Sequence, residues 1–193
     1  NNNREWFAEH KYLYEAAKED LFPFISKLIK EFAAIDPQYS ADTPPKKALM
    51  RIYRDVRFSK NKDPYKKNFG IAFDVKGYGP HTPSYYLHIE PNNCFFGVGF
   101  WQPEASVLKM IREEIDYSTS EFLEIIEAEE FKKFYVLSKE DTLKNAPKGY
   151  EIDHPQIAFL KLKSFIAIYK IDDEEFFKPT IVNKLITVFK NIQ

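Results

Sequence analysis

The sequence has little cysteine, little glycine and no long apolar run, and each shortage excludes a class of protein. Cys94 is the single cysteine among 193 residues, so the chain has no internal disulfide and no cysteine-rich zinc site. Six glycines and twelve prolines are too few for collagen or low-complexity sequence. The longest apolar run, Phe165–Tyr169, is far shorter than the roughly 20 residues that cross a bilayer. We therefore expect a soluble globular protein with no membrane contact.

The chain also lacks an excess of charge of either sign. Its 28 basic and 29 acidic residues give a formal net charge of -1, which argues against a protein that coats DNA. The length suits one compact domain, and 44% apolar with 30% charged residues is the composition of a folded chain. Because no linker and no internal repeat is visible, residues 1–193 are predicted to form a single domain.

The first residues, Asn1-Asn2-Asn3-Arg4, contain no methionine, no apolar leader and no small-residue cleavage site. We expect an internal start, produced by trimming or processing, with a few native residues missing before Asn1. Cys94, next to Phe95 of a predicted strand, is expected to be a buried structural thiol. A reducing cytoplasm is the expected location.

Hydrophobic spacing predicts helices at both ends of the chain and strands between them. Apolar residues recur every three or four positions from Asn3 to Ile35, and Asn3 is placed to cap the first turn. Pro23 predicts a kink or a fresh helix start near Asp20. A period of two then predicts four strands, Leu49–Phe58, Phe69–Val75, Tyr85–Glu90 and Phe95–Trp101, and a fifth lies within Leu162–Ile171. Further helices are predicted over 104–116, from Ser118 or Ser120 to about 129, and over 138–144, 155–163 and 179–191. The predicted fold is α+β, with an antiparallel sheet of about five strands and the N- and C-terminal helices packed on one face.

Charge is divided between two parts of the chain. Residues 46–67 carry nine basic residues against Asp55 and Asp63, and residues 104–130 carry nine acidic residues against Lys109 and Arg112. Both stretches would serve as solvated faces. The basic stretch also has three arginines inside a predicted strand, and arginine binds oxyanions in forked pairs, so an anion site is the second interpretation.

Alternation gives the predicted sheet one apolar and one polar face. The polar face gathers long side chains, Arg51, Asp55, Arg57, His88 and Glu90, around small residues, Gly70, Ala72, Gly97 and Gly99. Small residues beside long polar ones indicate a hollow that would hold a ligand. A plain wet face with cross-strand ion pairs is the alternative.

Candidate catalytic residues lie on this polar face. No phosphate-binding loop, dinucleotide fingerprint or nucleophile elbow is present. His88 beside Glu90 fits a general base whose tautomer is fixed by a carboxylate, and Asp55 is the third candidate. With Asp55 or Asp74 the pair would be a partial set of metal ligands, but nearby arginines repel a cation, so neither a metal nor a cofactor is predicted. The candidate ligand-binding residues are Arg51, Arg57, Tyr86, Lys66 and Lys163.

Four stretches resemble the domain of unknown function 2461 family, uncharacterised proteins of bacteria and fungi. They are Asn1-Asn2-Asn3-Arg4-Glu5-Trp6-Phe7, residues 51–66 from Arg51-Ile-Tyr-Arg54 to Asp63-Pro64-Tyr65-Lys66, Tyr85-Tyr86-Leu-His88-Ile-Glu90-Pro91, and Asp153-His154-Pro155 followed by Leu162-Lys163-Ser164-Phe165. Ser84 stands where a glycine is usual in the family. The resemblance covers nearly the whole chain, and it implies relatives rather than a reaction.

Two functions from different classes follow. The favoured one is a binder of, or an enzyme acting on, a small anionic ligand that bears phosphate or carboxylate and sits in the polar hollow. The alternative is an interaction module that docks nucleic acid or an acidic protein partner through the basic segment 46–67. Nucleic acid is the less expected partner because the overall charge is neutral.

Overall fold

The computed structural model describes residues 2–37, 39–73 and 82–192. The chain begins with the helix α1 (Arg4–Ile35). As predicted, Asn3 caps α1, since its side-chain oxygen accepts a 2.8 Å hydrogen bond from the backbone N–H of Trp6. The alternative of a fresh helix start near Asp20 is wrong, because α1 continues through Pro23. Pro23 lies on the exposed side, where water can bond the carbonyl that the proline leaves without a donor.

Within the described ranges, five antiparallel strands form one sheet. They are β1 (Phe69–Phe73), β2 (Ser84–Ile89), β3 (Cys94–Phe100), β4 (Val136–Leu137) and β5 (Phe165–Ile171). Their order in the sheet is β1-β2-β3-β5-β4. With helices at both ends of the chain, the sheet confirms the predicted α+β fold. Residues 74 and 75, where the second predicted strand ends, lie outside the described residues.

Residues 49–58 were expected to form the first strand, and that prediction is wrong: they form an irregular loop. Isolated bridges replace a strand ladder, Leu49 with Ile71 and Tyr53 with Tyr65. The loop bonds to itself, since Arg54 Nη1 donates to the Asp63 carbonyl at 3.1 Å and Lys62 Nζ donates to the Val56 carbonyl at 2.9 Å. These bonds favour a compact loop over an extended strand. The sheet still has five described strands, because β4, which was not predicted, takes the place of the strand expected at 49–58.

The main core lies between the sheet, α1 and the last helix, α8 (Ile181–Asn191). Its centre is aromatic: Phe32 of α1 stacks on Phe189 of α8 with ring centroids 4.2 Å apart. The predicted apolar face of the sheet is confirmed, since its side chains are buried: Ile71, Phe73, Leu87, Phe96 and Val98. His88 and Tyr86 consequently project from the opposite face.

The remaining helices of the described residues have between 4 and 13 residues. They are α2 (Pro45–Ala48), α3 (Ala105–Tyr117), α4 (Thr119–Glu127), α5 (Glu129–Phe134), α6 (Ile157–Leu160) and α7 (Asp173–Phe176). The helix predicted over 138–144 is absent and that over 155–163 shrinks to α6, because the two segments bond to each other: Leu143 N–H donates to the Lys161 carbonyl and Lys163 N–H to the Asp141 carbonyl. Among the described residues, no helix is long and apolar enough to span a bilayer.

Candidate functional site

A chain of hydrogen-bonded side chains runs along the outer face of β2. Tyr86 and His88 are two residues apart on β2, so the strand places both side chains on one face, and Glu90 follows directly after its last residue. Tyr86 Oη lies 2.9 Å from His88 Nδ1, and His88 Nε2 lies 3.1 Å from Glu90 Oε2. Asn93 Nδ2 donates to the same Glu90 oxygen at 2.9 Å. Two of the predicted catalytic residues, His88 and Glu90, therefore come together with a predicted ligand-binding residue.

The partners of His88 define its tautomer. An ionised Glu90 only accepts hydrogen bonds, so Nε2 of His88 carries the proton and donates it. Nδ1 is then an acceptor for the Tyr86 hydroxyl. The ring is also held by Phe95, on which it stacks with centroids 4.7 Å apart and planes 10° apart. The Tyr86 hydroxyl is thus aimed at a fixed basic nitrogen.

The two ends of this chain have opposite pKa shifts. Hydrogen bonds from Asn93 and His88 hold the pKa of Glu90 below its usual value, and the charge of Lys67 lowers it further. Burial raises the pKa of the Tyr86 hydroxyl. At neutral pH the chain therefore has a carboxylate at one end and a protonated phenol at the other.

The glycines of this face do not line an open hollow, which corrects the predicted shape of the site. A Cβ added to Gly70 would lie 2.7 Å from Tyr86 Oη, and one added to Gly97 would lie 3.4 Å from Ile166 and 3.6 Å from Phe95. Gly99 has a φ of +139°, and its added Cβ would lie 2.0 Å from the Phe165 carbonyl oxygen. The space beside each of these glycines is filled by a neighbour.

An open cavity of about 540 Å³ lies instead between the first half of α1 and residues 52–69. Its lining is mostly apolar and includes several polar residues; it consists of Asn2, Trp6, Phe7, His10, Leu13, Tyr14, Ala17, Ile52, Asp63, Tyr65, Lys66, Lys67, Asn68 and Phe69. Two hydrogen bonds join its walls, from Asn2 Nδ2 to the Tyr65 carbonyl at 2.9 Å and from the Tyr65 N–H to Asn2 Oδ1 at 3.1 Å.

Asn68 connects this cavity to the hydrogen-bonded chain. It lines the cavity, and its Nδ2 donates to Tyr86 Oη at 3.3 Å and lies 3.3 Å from His88 Nδ1. Lys67 also lines the cavity, and its positive charge lowers the pKa of Glu90. The sequence prediction missed Asn68, which comes immediately before β1 and carries no motif of its own.

Lys66 is the half-buried cation of the cavity wall. Burial lowers its pKa, and the positive charge of Arg51 lowers it further. No carboxylate pairs with Lys66 in the part of the chain that the structure describes. Of the predicted ligand-binding residues, Lys66 therefore lines the cavity, whereas Arg51 is exposed, lies outside the lining and acts on Lys66 through its charge.

The other predicted residues are engaged elsewhere. Arg57 and Asp55 form a forked pair with each other, at 3.0 and 2.7 Å, on the exposed loop. Asp55 is consequently outside the His88–Glu90 chain. Lys163 Nζ donates to Asp141 at 2.7 Å and is not part of the cavity lining. No group of three or more His, Cys, Asp and Glu side chains in residues 2–37, 39–73 and 82–192 could hold a metal ion, and Asp74 lies outside these ranges.

The sequence prediction also missed the aromatic wall. Trp6, Phe7 and Tyr14 belong to the apolar spacing of the N-terminal helix, and together with His10 they line the cavity. Their helical spacing signals only that they share one side of α1. Nothing in that spacing indicates that part of the helix faces an opening rather than the core.

The fold and the cavity define a class of protein: an α+β domain with a side cavity next to a Tyr–His–Glu chain. The family model described as "Conserved hypothetical protein (DUF2461)" matches residues 1–193, so the chain belongs to that family and the resemblance seen in the sequence is confirmed. A search of curated proteins and a search of solved structures each found no match.

Three of the four stretches that carry the resemblance meet at this site. The first supplies Asn2 and Trp6, and the second supplies Tyr65 and Lys66. The third supplies the Tyr86–His88–Glu90 chain, which reaches the cavity through Asn68. Stretches distant in sequence thus build one structure, and this is the region where we expect the function.

Proposed function

We propose that the protein binds a small anionic ligand, bearing phosphate or carboxylate, in the cavity between α1 and residues 52–69. The observation that carries this proposal is Lys66, a half-buried cation without a carboxylate partner among the described residues. Burying an unpaired charge is unfavourable, and an oxyanion beside Lys66 offsets that cost. Arg51 adds a second positive charge, whereas Arg57 and Lys163 already have carboxylate partners.

We further propose that the Tyr86–His88–Glu90 chain acts as an acid–base group toward this ligand. Tyr86 does not line the cavity, so in this proposal a water between the two carries the proton: it passes from the ligand through that water to Tyr86 Oη, while the Tyr86 proton goes to His88 Nδ1. The Glu90 carboxylate then stabilises the imidazolium that forms. The support for this step is the series of hydrogen bonds and its link to the cavity through Asn68.

The alternative, docking of nucleic acid or an acidic protein through segment 46–67, has less support. Several cations of this segment are used within it: Arg54 and Lys62 bond to loop carbonyls and Arg57 pairs with Asp55. Fewer charges are then left to release counterions from a phosphate backbone. Weak oligonucleotide binding without sequence preference is the expected result.

A reducing cytoplasm is the proposed location. Cys94 is buried, and burial raises the pKa of its thiol, so the residue is shielded from oxidation. Nothing in its surroundings requires an oxidising compartment.

Thermal unfolding with inorganic phosphate, pyrophosphate or acetate tests the binding proposal, with sodium chloride at equal ionic strength as the reference. A ligand at a hundred times its Kd stabilises by about 2.7 kcal/mol, which for this length raises Tm by roughly 5–10 °C. The shift should disappear in Lys66→Gln, shrink in Arg51→Gln and persist in Lys60→Gln, a matched exposed lysine of the same segment. Equal shifts in Lys66→Gln and the wild type would refute the site.

A panel of phosphate monoesters and carboxylic esters tests the acid–base proposal. Turnover should be lost in His88→Gln and kept in His154→Gln, which removes a histidine that pairs with Asp116 and lies outside both the chain and the cavity lining. Turnover that survives His88→Gln, or no turnover of any ester, counts against catalysis by these residues and leaves the binding proposal to the thermal experiment.

A further inference from the structure

The wall around Lys66 is built from flat rings. Six of the lining residues form three stacked pairs, with these centroid distances and interplanar angles: Trp6–His10 (4.3 Å, 10°), Phe7–Tyr65 (4.1 Å, 26°) and Tyr14–Phe69 (5.7 Å, 8°). A hydrogen bond of 2.8 Å between His10 Nδ1 and the Trp6 carbonyl holds the first pair in place. The rings are therefore fixed in orientation before any ligand arrives.

Part of this apolar wall is uncovered by the protein. Trp6 is 36% exposed and Leu13 is 52% exposed, although both line the cavity. Exposure of large apolar side chains to water is unfavourable, and a ligand whose apolar part covers them would be stabilised by removing this surface from water. An inorganic anion would satisfy Lys66 and leave these side chains wet.

We infer that the anionic ligand carries a planar aromatic group, which lies against the ring wall while its phosphate or carboxylate contacts Lys66. This inference rests on the proposed function and names its ligand class. A cavity of about 540 Å³ is within the range of about 300–1,000 Å³ found for small-molecule sites and far exceeds a bare anion. A neutral aromatic compound fits less well, because it would cover Lys66 without a counter-charge.

The test compares ligands that differ in one feature, by calorimetry. Phenyl phosphate is set against cyclohexyl phosphate, inorganic phosphate and benzyl alcohol; benzoate, cyclohexanecarboxylate and acetate form the carboxylate arm. Burial of the ring should make phenyl phosphate bind at least about ten-fold more tightly than inorganic phosphate. Ring stacking should add about a five-fold preference over cyclohexyl phosphate. The stronger of the two arms identifies the anion.

Three variants test whether the aromatic group of the ligand lies against the Trp6–His10 pair. Trp6→Leu keeps an apolar side chain and should abolish the preference for phenyl over cyclohexyl, as should His10→Leu. Trp101→Leu removes the other tryptophan, which is exposed and outside the cavity lining, and should change nothing.

The outcomes separate this inference from the proposed function. Equal binding of phenyl and cyclohexyl phosphate, both lost in Lys66→Gln, would overturn the aromatic inference and leave the anion proposal standing. A phenyl preference that survives both Trp6→Leu and His10→Leu would overturn the ring wall as its source. No binding of any anion, or binding unaffected by Lys66→Gln, would overturn both.

Discussion

Gly70 is the position where the structure makes its sharpest prediction about the candidate site. A Cβ added there would lie 2.7 Å from Tyr86 Oη and 2.9 Å from Tyr86 Cε2, with Met50 Sδ at 3.2 Å. The first contact is about 0.7 Å shorter than the 3.4 Å at which ordinary contact begins. Gly70→Ala must therefore displace the Tyr86 ring and lengthen its hydrogen bond to His88.

The expected cost combines overpacking with a weakened hydrogen bond. Extra methyl groups in a packed site cost about 1–3 kcal/mol, so we expect a loss of about 2 kcal/mol in the free energy of unfolding. For a chain of this length that lowers Tm by about 4–8 °C. Gly97→Ala is the matched control, because its nearest contact, Ile166 Cγ2 at 3.4 Å, is ordinary. The effect of alanine on the unfolded chain is shared by both variants and cancels in their difference.

Urea unfolding of the two variants, and of Gly70→Ala in a Tyr86→Phe background, measures these terms. Phenylalanine removes the oxygen that makes the shortest contact, so the cost of Gly70→Ala should fall by about 1 kcal/mol in that background. Equal stability of Gly70→Ala and Gly97→Ala would refute the reasoning. So would an unchanged cost of Gly70→Ala in the presence of Tyr86→Phe.

Two further predictions concern charge and the cavity wall. The pKa of Glu90 is lowered in the folded state, so its ionisation stabilises the fold at pH values above the usual pKa of 4.5, and this stability is lost as the pH falls through the folded-state pKa. Glu90→Gln should therefore flatten the dependence of the free energy of unfolding on pH in that range. An unchanged pH dependence would contradict the assigned hydrogen bonds. Asn2→Ala removes two hydrogen bonds to the backbone of Tyr65. Urea unfolding should show a loss of about 1 kcal/mol in the free energy of unfolding, and calorimetry should show a weaker anion affinity. An anion affinity equal to that of the wild type would show that Asn2 does not support the binding site.

Strand positions were predictable where one residue type alternated with another. Ile71 and Leu87 alternate with small or polar residues, and burial of one face decides the register of such a strand. The same reasoning failed for residues 49–58, where apolar and basic residues also alternate locally. There the arginines recur every three residues, and Arg54 finds a carbonyl partner across the loop that a single sequence does not reveal.

The polar face of β2 was predictable, and the cavity beside it was not. His88 and Glu90 follow from a period of two. Asn68, in contrast, matters because the fold brings it beside Tyr86, eighteen residues later in the chain. A cavity forms where side chains leave space unfilled, which a sequence does not show. The apolar spacing of α1 is the same for residues that line the cavity and for residues that pack in the core.

Lys66 gives the most direct physical test of the site. Reductive methylation with ¹³C-formaldehyde labels lysines, and the carbon signal of each dimethylamine reports its own titration; Lys66→Arg assigns the signal. We expect the Lys66 signal to titrate below the usual lysine range of about 10.4, because burial and Arg51 both disfavour its charge. Lys18 is an internal control of opposite sign, since its hydrogen bond to Glu15 raises its pKa.

Two perturbations then separate the causes of the Lys66 shift. Arg51→Gln removes the like charge and should raise the pKa of Lys66 part of the way, leaving the contribution of burial. A bound phosphate ester should raise it further, because an anion stabilises the ammonium form, while the Lys18 signal should stay unchanged. If Lys66 titrates with the exposed lysines, it is not a buried cation and the anion site loses its main support. If the pKa of Lys66 is low but no anion raises it, Lys66 is a buried cation and the ligand of the cavity is not an anion.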